Sequence, residues 1–123
     1  MQQPLPRLTD DTLWAILNDE IDDDTVNRLV WRGLGYQDSS AGWDSSAVEP
    51  AWAEKYPEPP NFIESRPATV QLTRSIPPEY KQLLKEELEF KGYTVDQLIP
   101  RLTRRATMVS WLLSYRKQAT VGS

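Results

Sequence analysis

The sequence predicts a mainly α-helical protein with an N-terminal helical hairpin, an irregular proline- and aromatic-rich strap, and C-terminal helices. Apolar residues recur at helical spacing near both ends of the chain, which is typical of helices that pack on a core. Seven of the ten prolines fall within residues 37–78, and this excludes long helices there. We expect the 123 residues to form a single domain, with the hairpin at 8–36, the strap at 37–76 and the helices at 77–118.

The hairpin is predicted from capping signals and charge. Thr9 suits the N-cap of a first helix that runs from about Asp10 to Ile21. The acidic residues 22–24 then cap a second helix, in which Asp24 and Arg28 are spaced to form an ion pair. Glycines at positions 33 and 35 end that helix. A link this short predicts an antiparallel or crossed pair of helices.

The strap is too aromatic for an inert linker, so we expect it to pack over the helices. It contains at most one short strand. The candidate is the run Ala68–Leu72, in which Val70 and Leu72 alternate with polar residues. A single run of this kind cannot form a sheet without a partner strand.

The last third of the chain gives the clearest helical signals. A helix is expected to start at Pro77 and to extend past Leu88, with Gly92 as its stop. Thr94 and Gln97 have the spacing of a capping box, which predicts a short turn. Pro100 suits the first position of a longer final helix.

The net charge of −4 hides an asymmetry between the two halves of the chain. Residues 1–65 hold four Lys/Arg against thirteen Asp/Glu, whereas residues 66–123 hold ten against five. Either the halves dock and partly neutralise each other, or the basic half binds an anionic partner. The candidate binding cations on the final helix are Arg101, Arg104 and Arg105, with Arg116 and Lys117 near its far end.

The acidic cluster between Asp19 and Asp24 has two interpretations. A calcium loop of the EF-hand type requires a central glycine and a glutamate at its twelfth position, and both are missing. Helix capping explains the cluster, and a weak surface cation site is the alternative. We therefore predict no metal ligands and no cofactor.

Four aromatic residues of the strap are the predicted anchors for a partner. Trp43, Trp52, Tyr56 and Phe62 are of the types that carry most binding energy at protein interfaces. For Trp43 and Trp52 the alternative is a structural role, in which they pin the strap onto the helices.

The missing residue types argue against an enzyme. The chain has no histidine and no cysteine, which excludes an ordinary serine–histidine triad and thiol chemistry. It also lacks a glycine-rich phosphate loop, and we predict no catalytic residue. No run approaches the roughly 20 apolar residues of a membrane span.

We predict a non-catalytic protein–protein interaction module that binds a larger protein or complex. The less favoured alternative is a nucleic-acid accessory protein that uses the basic final helix.

Four segments together resemble a small uncharacterised family of cyanobacteria and plastids. They are Leu8–Leu17, Trp31–Tyr36, Leu72–Lys85 and Arg101–Ala106. The resemblance covers nearly the whole chain and assigns no catalytic or binding residue. It implies a photosynthetic cell, a cytoplasmic or stromal location, and a helper role near photosynthesis or plastid gene expression. We expect the interaction module to act there as an assembly or regulatory factor.

Overall fold

The fold was analysed in a computed structural model that describes residues 5–39 and 42–121. These residues form six α-helices, two short 3-10 helices and one two-stranded antiparallel sheet, so the mainly α-helical class is confirmed. The helices are α1 (Asp10–Leu17), α2 (Asp23–Leu34), α3 (Pro50–Ala53), α4 (Arg66–Ser75), α5 (Leu83–Leu88) and α6 (Pro100–Val121). The 3-10 helices are Pro78–Tyr80 and Val95–Gln97, and the strands are β1 (Gln37–Ser39) and β2 (Gly42–Asp44).

The long helix α6 is the centre of the packing. Helices α1, α2, α4 and α5 each lie against it. The side chains that they bury together form one apolar cluster, which comprises mainly Leu13, Ile16, Val26, Leu29, Val30, Phe62, Leu72, Met108, Val109, Leu112 and Leu113. At the contact between α2 and α6, a Cβ added to Gly33 would lie 2.7 Å from Cζ3 of Trp111. Glycine therefore allows these two helices their close approach.

Several local signals predicted from the sequence are confirmed. The hydroxyl of Thr9 accepts a hydrogen bond from the amide of Thr12 at 3.2 Å. Gly35 ends α2 in the left-handed conformation, with φ of 107°. Thr94 and Gln97 form the predicted capping box, and α6 begins at Pro100. Each of these signals acts within one turn of the chain.

The two helices of the predicted hairpin are present, and the second has its predicted caps, but the first is shorter than predicted. The first helix ends at Leu17, four residues before the predicted Ile21. The link then turns through Asp19, which has a φ of 60°. Because α1 ends early, the carbonyls of Ile16 and Ile21 accept hydrogen bonds from the side chain of Arg105 on α6. Both α1 and α2 pack on α6.

The predicted strand at Ala68–Leu72 is wrong, because these residues lie within α4. The hydroxyl of Ser65 caps this helix by accepting a hydrogen bond from the amide of Ala68. Pro67 lies in the first turn, where its missing N–H costs nothing. Val70 is exposed and Leu72 is buried because they lie on different faces of this helix. The strands of the structure lie instead at residues 37–39 and 42–44.

The predicted continuous helix from Pro77 is also interrupted. The chain forms the 3-10 helix Pro78–Tyr80 and then the separate helix α5. Two successive prolines supply no amide hydrogens, and the amide of Tyr80 bonds to the carbonyl of Pro77 at the shorter 3-10 spacing. Within the described ranges, no helix is both long enough and apolar enough to cross a membrane.

Candidate functional site

Arg105 is the most deeply buried charged residue of the predicted basic face. Its side chain is 0% exposed. Its guanidinium donates to the backbone carbonyls of Ile16 and Ile21 and to a carboxylate oxygen of Asp23, the last at 2.7 Å. A buried cation needs partners of this kind, and here it also meets the negative end of the α1 dipole. Arg105 is therefore part of the core and has no surface to offer a partner.

Arg101 also forms ion pairs within the molecule. Its guanidinium donates to both carboxylate oxygens of Asp19, at 2.9 and 2.7 Å, and its Nε donates to Asp23 at 3.0 Å. The hydrogen bond from Arg101 lowers the pKa of Asp19 below its usual value of 3.8. These contacts account for Asp19 and Asp23 of the acidic cluster. Over the residues that the structure describes, no group of three or more His, Cys, Asp or Glu could hold a metal ion.

The other cations of α6 separate into two groups. Arg116 contacts Asp10 at 3.0 Å, and Lys117 contacts Glu87 at 3.6 Å. Arg104 instead donates from its guanidinium to the carbonyl of Ile63 at 2.7 Å and borders a surface concavity. Three of the five cations on α6, namely Arg101, Arg105 and Arg116, thus contact carboxylates of the first half of the chain, as the docking interpretation of the charge asymmetry predicts.

Two of the four predicted aromatic anchors belong to the core. Trp52 is 3% exposed and Phe62 is 0% exposed, and their rings meet edge to face at 5.8 Å. The prediction that they anchor a partner is therefore corrected, because neither side chain has a free surface. For Trp52 the structure supports the alternative in which it pins the strap to the helices.

Trp43 and Tyr56 are half-buried, and each has an intramolecular contact. The ring of Trp43 packs edge to face on Trp31 at 5.4 Å. Tyr56 accepts, at its backbone carbonyl, a hydrogen bond of 2.6 Å from the hydroxyl of Tyr36. The structure therefore does not bring the seven predicted binding residues together on one surface. A binding role for Trp43 and Tyr56 stays a prediction.

Large apolar side chains are exposed instead in the segment before α6. Val95 is 85% exposed, Leu98 is 58% exposed and Ile99 is 47% exposed. A single exposed apolar residue is ordinary, but three within five positions make this segment a candidate contact surface. The segment 94–100 is exposed at every residue, and we name it the apolar segment.

Helix α4 lies beside the apolar segment and forms a groove with it. Val70 on α4 and Leu98 line a shallow concavity of about 340 Å³. A second concavity of about 640 Å³ continues on the other side of Val70 and shares Arg66 with the first. We call the two together the α4 groove. Its lining comprises Ala51, Lys55, Arg66, Pro67, Thr69, Val70, Gln71, Thr73, Arg74, Leu98, Pro100, Thr103 and Arg104.

Sequence reasoning missed most of this groove. Arg66, Val70 and Arg74 are spaced four residues apart, which places them on one face of a helix. That pattern is visible once residues 66–75 are recognised as helical from the cap at Ser65 and the proline that follows. The prediction of a strand there concealed it, and only Arg104 of the predicted residues lines the groove.

The fold and the groove define a small, mainly α-helical protein with a surface concavity suited to binding. The chain belongs to the family described as Domain of unknown function (DUF1823), whose model matches residues 7–117. It is also similar to a protein with a solution NMR structure, at 57% sequence identity and a TM-score of 0.79. That similarity covers 91% of this chain and 95% of the other. No curated protein matches the chain significantly. Neither the family nor the similar structure indicates a catalytic activity.

Proposed function

We propose that this protein is a non-catalytic protein–protein interaction module that docks through the α4 groove and the apolar segment. The observation that carries the proposal is the exposure of Leu98 beside Val70 in a concavity, with Val95 and Ile99 exposed next to it in the chain. Burying such a surface against a partner is favourable at roughly 25 cal/mol per Å² of apolar area.

The proposal that the module is not an enzyme rests on the chemistry of its side chains. The chain has neither histidine nor cysteine. The carboxylates of Asp19 and Asp23 are occupied by arginines. The α4 groove is lined by cations, amides, hydroxyls and apolar groups, and this set recognises a ligand more readily than it transfers a proton.

The nucleic-acid alternative depended on the basic face of α6. Arg101, Arg105 and Arg116 each contact a first-half carboxylate, so this face presents little free positive charge. The proposal retains the photosynthetic cell that the family resemblance implies, and it retains an assembly or regulatory role for the interaction module.

Site-specific photocrosslinking tests the docking surface directly. A photoreactive benzoylphenylalanine replaces Leu98 in one variant, and in a matched control it replaces Arg32, an exposed residue on α2. After irradiation in native cell extract, we expect a defined protein adduct from position 98 and none from position 32. The adduct should survive nuclease treatment. Equal labelling from both positions would contradict the proposed surface, and nuclease-sensitive labelling would favour the alternative.

A further inference from the structure

The α4 groove carries a charge opposite to that of the molecule as a whole. Its cations are Lys55, Arg66, Arg74 and Arg104, and no aspartate or glutamate lines either concavity. The protein's net charge is −4. A local cationic surface on an acidic protein attracts an anionic partner and repels a cationic one.

Two of these cations have no ionic partner among the residues that the structure describes. Arg66 and Arg74 form no ion pair or side-chain hydrogen bond with any residue that the structure describes, in contrast to Arg101, Arg105 and Arg116. Lys55 lies over the ring of Tyr56, with Nζ 5.9 Å from the centroid. Carboxylates of the first half therefore pair with Arg101, Arg105 and Arg116 of α6, whereas Arg66 and Arg74 of α4 have no such pair among the described residues.

The spacing of the groove residues sets the pattern that a ligand must match. Arg66, Val70 and Arg74 follow one another at four-residue intervals along the exposed face of α4. At 1.5 Å per residue, the two arginines are separated by about 12 Å along the helix axis, with the apolar valine midway between them. Leu98 and Pro100 form an apolar wall beside Arg66 and Val70, and Arg74 lines the second concavity.

We propose that the α4 groove binds an acidic, amphipathic helical segment of a partner protein. This inference rests on the proposed function and specifies the chemistry of the partner. The complementary segment carries two acidic residues that flank an apolar residue at four-residue spacing, so that its carboxylates meet Arg66 and Arg74 while its apolar side chain contacts Val70 and Leu98. The apolar wall favours a peptide over a nucleic-acid backbone, which needs a longer track of cations.

The test uses a synthetic helical probe. The probe is an acetylated, fluorescein-labelled Ala/Gln-rich peptide that carries Glu, Leu and Glu at positions i, i+4 and i+8, and its control has Gln in place of both Glu. Fluorescence polarisation with the whole protein should show binding of the Glu peptide and at least about tenfold weaker binding of the Gln peptide at low salt. Raising the ionic strength should weaken only the first interaction.

Charge reversal in the groove has a matched control elsewhere. The double variant Arg66→Glu with Arg74→Glu should lower affinity for the Glu peptide by about tenfold or more. Arg32→Glu with Lys85→Glu makes the same charge change on α2 and α5 and should leave the affinity within about twofold. Circular dichroism melts of both variants show whether each one is folded. The single variant Arg74→Gln removes one charge without reversing it, so it should lower the affinity for the Glu peptide by a smaller factor.

The outcomes separate the inference from the function on which it rests. Equal binding of the Glu and Gln peptides, or no binding at about 1 mM, would overturn the acidic-helix proposal. The absence of a protein adduct from position 98 in native cell extract would overturn the proposed function itself. Tighter binding of a single-stranded oligonucleotide than of the Glu peptide, abolished by the groove variant, would assign the groove to nucleic acid instead.

Discussion

Two irregular segments of this protein have opposite relations to the core. The strap segment 56–63 is rich in proline and aromatic residues, and side chains from α2, α4 and α6 bond its backbone. Trp31 donates to the carbonyl of Pro60 at 2.7 Å, and Asn27 accepts from the amide of Phe62 at 3.0 Å. The hydroxyl of Thr69 donates to the carbonyl of Phe62. The apolar segment 94–100 makes mainly local hydrogen bonds and is exposed throughout.

The difference shows that aromatic content alone does not identify a binding surface. The strap lacks regular structure over these residues, so the rest of the protein must supply partners for its backbone groups, and its aromatic rings fill the core. The apolar segment forms hydrogen bonds within its own 3-10 helix and capping box, so its apolar side chains do not need to cover its backbone and remain exposed.

The largest contrast between the two segments is expected in stability. Replacing Trp52 with Ala should lower the free energy of unfolding by about 3–5 kcal/mol, because it removes a large buried ring that packs against Phe62. Replacing Val95 with Ala should change it by less than about 0.5 kcal/mol, because that side chain is already in water. Urea denaturation measures both. A similar loss of unfolding free energy in the two variants would contradict the contrast between the strap and the apolar segment.

A smaller effect is expected from the polar contacts of the strap. Asn27 is buried, accepts from the amide of Phe62 and donates to the side chain of Asn61. Asn27→Ala should cost about 1–3 kcal/mol, because it leaves these groups unpaired. Hydrogen exchange should show faster exchange at the Phe62 amide. In the control Gln97→Ala, which removes one side of the local capping box, exchange at Phe62 should not change.

The smallest effect concerns the ion pair that joins the apolar segment to the α1–α2 link. Arg101 follows this segment directly and lowers the pKa of Asp19. A carboxylate with a lowered pKa in the folded state stabilises the fold above its usual pKa of 3.8, and this contribution is lost as the pH falls below that value. Because the pair is partly exposed, the contribution is expected to be less than about 1 kcal/mol.

Asp19→Asn tests this contribution. The variant should be slightly less stable than the native protein at pH 7, and the difference should vanish near pH 2, as measured by urea denaturation at each pH. A difference that persists unchanged at low pH would show that Asp19 acts through the shape of the turn rather than through its charge.

The features that the sequence predicted correctly are those whose causes lie within a few residues. The cap at Thr9, the Asp24–Arg28 pair at 2.7 Å and the proline at the start of α6 are of this kind. The burial of Arg105 was not predictable in this way, because its partners lie more than 80 residues away in the chain. The mistaken strand had a different cause. Five residues with a β-branched pair are too few to distinguish the period of a strand from that of a short helix.

The central position of α6 has a consequence for biosynthesis. Helices α1, α2, α4 and α5 all precede α6 in the chain, and each of them packs on it. While the ribosome is still translating residues 100–121, the earlier helices lack the helix on which each of them packs. The carbonyls of Ile16 and Ile21 likewise lack their hydrogen bonds from Arg105 until that residue has been translated. Folding is therefore expected to be completed only after this helix has left the exit tunnel, so chaperones that bind nascent chains should meet this protein unfolded.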